Sequence, residues 1–118
     1  MIAVIFEVFP AEGARDEYLD MAAALKPQLE QADGFISIER FESLYTKGKL
    51  LSLQFWRDEE SLTKWRNVAE HRSAQAAGRG IFDSYRLRVA AVIRDYGMDD
   101  RTQAPSDSRA IHDRPAAD

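Results

Sequence analysis

The sequence predicts an α+β fold of ferredoxin-like order, β-α-β-β-α-β, with one four-stranded antiparallel sheet and helices on one of its faces. Three observations carry this. Four short runs, 2–9, 35–43, 50–57 and 85–96, are rich in β-branched and aromatic residues or alternate in hydropathy. Two longer segments repeat apolar residues at helical spacing, one after the first run and one before the last. A chain of 118 residues has room for one domain, and it contains no cysteine to staple anything smaller.

The first strand is apolar on both faces, with Ile2, Val4, Phe6 and Val8 on one side and Ala3, Ile5 and Phe9 beside Glu7 on the other. Such a strand belongs in the middle of a sheet covered on each side, which is the first hint of a partner subunit. Pro10 and Gly13 break it. Tyr18, Met21, Ala22, Leu25 and Leu29 then form an amphipathic stripe, which Pro27 should kink or interrupt near its end and Asp33-Gly34 should close. Two alternating runs follow, joined by a hairpin turn at Thr46-Lys47-Gly48-Lys49. Asp58-Glu59-Glu60 opens a second helix, acids in its first turn suiting the dipole. Its pattern carries Leu62, Trp65 and Ala69 and, after a bend, Ala74, Ala77, Gly78, Ile81 and Phe82. The last strand is expected over 85–96. The domain is therefore expected to span 1–97, with 98–118 a flexible polar tail that contains two of the four prolines and no periodicity.

Composition removes several function classes. Without cysteine there are no thiolate metal sites and no cysteine nucleophiles. A net charge of −4 argues against a nucleic-acid partner, although the late arginines Arg72, Arg79, Arg86, Arg88 and Arg94 leave room for a local anion site. The opening MIAVIFEVFP lacks the charged start and cleavage site of a secretory signal, and no apolar run approaches the roughly 18 residues of a membrane span. A cytoplasmic location without membrane contact is the resulting expectation. There is no G-x-S-x-G, no H-E-x-x-H and no phosphate-binding glycine loop.

Trp65-Arg66-Asn67, Val68-Ala69-Glu70-His71, Ala74-Gln75, Gly78-Arg79 and Tyr85, together with the opening AVIFEV, the run FWRDEESLTKWRN and the closing RDYG, resemble small bacterial members of the antibiotic biosynthesis monooxygenase family. The resemblance covers residues 2–97. It implies a homodimer in which two sheets form a shared α/β barrel, with a ligand cavity between each subunit's own helices and sheet. Some members oxygenate aromatic polyketides without metal or flavin. Others bind and degrade haem, and many have no assigned activity.

Within that frame Trp65 faces inward, either as packing or as a wall whose indole N–H meets a carbonyl or phenolate. His71 is the sole histidine before the tail and shares a helical face with Ala74, Gln75, Gly78 and Phe82. It is either a structural residue, a proton acceptor for an acidic substrate, or an axial haem ligand. Neither catalytic set of the family is intact. The first-strand asparagine of haem-degrading members is replaced by Phe6, and their histidine by Gln75. The asparagine and tyrosine that flank the tryptophan in quinone-forming members are replaced by Ser61 and His71. Arg79, Arg86 and Arg88 are carboxylate or phenolate binders, or else surface and rim ion pairs. Glu7, Arg40, Gln54 and Arg88 interrupt apolar strands, and register decides whether each lines the cavity or pairs across the barrel. The first expectation is a cofactor-independent monooxygenase acting on a small aromatic molecule, with His71 as base and Trp65 orienting the ring. The substrate-binding set would be Phe6, Gln54, Ser61, Gln75, Arg79 and Arg88, with no metal. A haem-binding protein and a non-catalytic dimeric module for a small hydrophobic ligand are the alternatives.

Overall fold

β1 (Ile2–Pro10) is the strand around which the others assemble. In a computed structural model that describes residues 1–113, apart from the surroundings of residues 72, 73, 76 and 78, it pairs antiparallel with β3 on one side and β4 on the other. The remaining elements are α1 (Arg15–Glu30), β2 (Phe35–Glu42), β3 (Leu50–Trp56), α2 (Glu59–Gly78), β4 (Phe82–Ala91) and α3 (Ser106–His112). The strand order β2-β3-β1-β4 is that of the ferredoxin-like fold, and it places the doubly apolar strand centrally, as its composition requires. Residues 114–118 of the expected tail, and the Arg72 side chain of the arginine group, lie outside the described residues.

Register sorts every strand residue to one of two faces. Phe6 stands opposite Ser52 and Leu87, and Ser52 opposite Arg40, so this row faces the helices. Glu7 stands opposite Leu51 and Arg86, and Ile5 opposite Leu53 and Arg88, so this set faces away from them. Two apolar clusters join helices to sheet at opposite ends of the layer. One comprises Val4, Leu29, Trp56, Leu62 and Trp65, the other Val8, Tyr18, Leu50 and Ile81. Val8 and Trp56 have no solvent exposure at all.

Several boundaries differ from expectation, each for a physical reason. α1 runs through Pro27 to Glu30 without interruption, its last turn held by Leu29, which is buried in the first cluster. α2 is one helix that stops at Gly78. Gly80, at φ +73°, turns the chain, its amide donating to the Ala77 carbonyl at 3.0 Å. Ile81 and Phe82 therefore leave the helix, Ile81 to be buried and Phe82 to begin β4. β4 ends at Ala91 rather than at 96, with Ala91 opposite Ile2 and the Val92 amide donating to the Met1 carbonyl at 3.0 Å just beyond. The segment after 97, expected to lack regular structure, contains α3. Arg101 ties this turn down through Asp113 at 2.8 Å and Ser108 at 3.1 Å, and stacks over Tyr96 at 5.3 Å.

Candidate functional site

Between the two clusters the helices stand off the sheet and leave a cavity of about 590 Å³, within the range of small-molecule sites. α1 supplies Tyr18, Met21, Ala22 and Leu25, and α2 supplies Leu62, Trp65, Ala69 and Ala77. The strands form the floor. One of its rows reads Ile38, Gln54, Val4 and Val89, and the next reads Arg40, Ser52, Phe6 and Leu87. The wall is apolar because helix stripe and strand alternation both turn their apolar sides here. At one end Phe6, Phe82, Tyr85 and Tyr18 form an aromatic group, Phe6 and Tyr85 tilted with centroids 5.4 Å apart and Tyr18 edge-on to Phe82 at 5.6 Å. Trp65, 7% exposed, closes the other end against Trp56 and Leu62.

Polar atoms in this wall are few. Gln54 is engaged, its Oε1 accepting a hydrogen bond from Trp56 Nε1 at 2.9 Å. Ser52 is buried at 3% exposure. Arg40 presents a guanidinium whose Nε is buried and has no acceptor among the described residues. The acids on the lining, Glu59 and Glu70, are exposed, and Glu59 pairs with Arg66 at 3.5 Å.

Of the sequence-predicted residues, Trp65, Phe6 and Gln54 come together on this cavity. His71 does not: it is exposed on α2 and absent from the lining, because the inward stripe follows Leu62, Trp65 and Ala69, about 200° around the helix from it. Gln75 and Arg79 are likewise exposed and off the lining. Arg88 lies on the opposite face of the sheet, where it pairs with Glu7 at 3.3 Å, as does Lys49 at 3.3 Å. Burial works against ionised Glu7, yet these two cations outweigh it and hold the carboxyl below its usual range.

Ser61 is structural. Asp58 caps α2, accepting the Ser61 amide at 2.8 Å, and Arg57 Nη2 donates to Ser61 Oγ at 2.8 Å and to Asp33 at 3.0 Å. The Ser61 hydroxyl and amide, then Arg57, depress the Asp58 carboxyl to about 2. Sequence reasoning left Arg40 unresolved between two faces and did not single out Ser52 or Tyr18 as lining. Arg40 interrupting an apolar strand was the available signal, and register was the missing information. Among the described residues no three histidine or acidic side chains cluster as a metal site, and no helix is long and apolar enough to cross a membrane.

Comparison with known proteins adds the lineage. The sequence model of the antibiotic biosynthesis monooxygenase family matches residues 1–77. A relative named jasmonate monooxygenase, from Pyricularia oryzae, is 50% identical over 93 residues, which are 78% of this chain and 43% of that protein. The chain thus spans less than half the length of this curated relative. Among solved structures, Rv0793 from Mycobacterium tuberculosis matches with a TM-score of 0.69 at 22% identity, over 81% of this chain and 98% of that one. SnoaB, a cofactor-independent oxygenase from Streptomyces nogalater, matches with a TM-score of 0.65 at 8% identity, over 80% and 94% respectively. At these identities the structural likenesses establish the shared fold.

Proposed function

Because this chain belongs to the antibiotic biosynthesis monooxygenase family, we propose that it is a small-molecule monooxygenase whose substrate occupies the helix–sheet cavity and reacts with O₂ there. The observation that carries the reading is the cavity itself, a largely apolar cleft of about 590 Å³ with Trp65 at one end and, in its floor, Arg40, whose Nε has no acceptor among the described residues. The reaction we propose needs no cofactor. An activated CH₂ gives its proton to solvent hydroxide, the carbanion or enolate transfers electrons to O₂ and is reprotonated by water as a hydroperoxide, and this collapses to a carbonyl and one water, so one O₂ balances one substrate. Aromatic substrates of the anthrone type fit the scheme. The relative named for jasmonate supports extending it to a small cyclopentanone carrying a carboxylate.

Two copies pairing by the sheet face opposite the helices is the assembly we propose. That face carries Ile5, Leu51, Leu53 and Phe55 around the Glu7 ion pairs, and Phe41 at 43% exposure.

The test is oxygen uptake by the purified chain with anthrone and with jasmonate, product mass being read in parallel with ¹⁸O₂. Uptake matched by one labelled oxygen atom in the product is the expected result. Absence of uptake with both substrate types, while ligands still bind, would retire the oxygenase reading in favour of a binding module.

A further inference from the structure

We infer that Arg40 is a carboxylate anchor, so that the molecule taken by the cavity is a small anion with an apolar body. The inference builds on the oxygenase reading, but its test reads binding rather than turnover, so the two fail separately.

The argument starts from register. Arg40 lies on β2 opposite Ser52, and both turn toward the helices onto the row that continues through Phe6. Its Nε is fully buried and has no hydrogen-bond acceptor among the described residues. None of the ion pairs among those residues includes Arg40, although other arginines, such as Arg57, Arg66, Arg88 and Arg101, each hold a carboxylate. Nε is closed even to water, so a ligand in the cavity meets Arg40 at its two terminal nitrogens. That edge of the guanidinium donates two parallel hydrogen bonds, a geometry matched by the two oxygens of a carboxylate.

The surroundings favour an anion from outside the chain. The acids on the lining are exposed, Glu59 is already held by Arg66, and neither pairs with Arg40. Ser52, buried directly across the ladder, offers a hydroxyl beside the same position. The other lining surfaces reached from this row, Phe6, Leu87 and Tyr18, are apolar or aromatic and suit the remainder of the ligand.

Isothermal titration of the full chain with 1-naphthaleneacetate and with its methyl ester provides the test, since the pair shares one apolar body and differs in the charged group. The acid should bind about 10- to 100-fold more tightly than the ester, the range expected of hydrogen bonds to a charged partner. Arg40→Gln should abolish that preference and leave ester binding within about twofold, which also reports an intact cavity. Arg40→Lys, which retains charge but not the paired donors, should fall between. Equal affinity of acid and ester for the unmodified chain, failure of both to bind, or a preference that survives in Arg40→Gln would each overturn the inference. Loss of turnover on a neutral substrate in Arg40→Gln, without any acid preference in binding, would also overturn it and assign Arg40 to the reacting enolate. An Arg40-dependent acid preference in a chain that consumes no oxygen would keep the anchor and retire the oxygenase reading.

Discussion

Gly34→Ala should destabilise the chain by about 2–5 kcal/mol, from two causes that can be separated. Gly34 sits at φ +83°, where a side-chain-bearing residue loses about 1–2 kcal/mol. A methyl group there would also collide with the Ser61 side chain. Ser61 cannot simply turn away. Its Oγ accepts from Arg57 Nη2 and its amide donates to Asp58 Oδ1, both at 2.8 Å, while the Gly34 carbonyl accepts from the Arg57 amide at 2.8 Å. Forcing atoms into such a packed corner costs about 1–3 kcal/mol more. For a chain of this length the unfolding entropy is about 250 cal/mol/K, so the midpoint should fall by about 8–20 °C. Thermal unfolding followed by far-ultraviolet circular dichroism measures it. Ser61→Gly in the Gly34→Ala background removes the atoms the methyl meets and should return the packing part of the loss, leaving the backbone part. A midpoint within about 2 °C of the original for Gly34→Ala alone would refute the reasoning, as would a double variant no better than the single one.

The Asp58 carboxyl, held down by the Ser61 hydroxyl and amide and then by Arg57, gives a pH dependence of known sign. Its folded pKa lies below its unfolded one, so its contribution is complete above about pH 4 and drains away as pH falls toward 2. Asp33, lowered mainly by its hydrogen bond and charge contact with Arg57, acts in the same window. The protection of the Ser61 amide against hydrogen exchange, relative to its intrinsic rate at each pH, should fall there, and a stability gap between the natural chain and Asp58→Ala that stays constant through that window would contradict the assignment. Trp65→Ala should cost about 3–5 kcal/mol, read from the denaturant midpoint, because it empties the end of the cavity and strips contact from Val4, Leu29, Trp56 and Leu62. An effect below about 1 kcal/mol would mean that the indole is not packed as described. Glu7→Ala leaves the Lys49 and Arg88 charges unpaired on the face proposed to meet a second copy. The dimer dissociation constant measured by sedimentation velocity should rise about tenfold or more, and an unchanged constant would place the contact elsewhere.

Local pattern was enough to specify the element order. Ile2 through Phe9 reads as a central strand without any knowledge of its neighbours, because apolar residues on both sides of one strand require cover on both faces. The inward direction of Trp65 follows in the same way from its spacing to Leu62 and Ala69. Ends of elements were less legible, since they depend on what lies opposite. α2 stops because Gly80 turns the chain toward a buried Ile81, and β4 then begins at Phe82.

The site divided along the same line. Alternation established that Glu7, Arg40, Gln54 and Arg88 interrupt apolar strands, and that His71 is the one imidazole before residue 98. Only the tertiary structure decided their sides. Pairing register turned Arg40 and Gln54 toward the helices and sent Glu7 and Arg88 to the far face, and the rotation of α2 left His71 outside. The reason is geometric. A strand repeats every two residues and a helix every 3.6, so a sequence states which residues share a face, while the packing of one element on another states which face looks into the cavity.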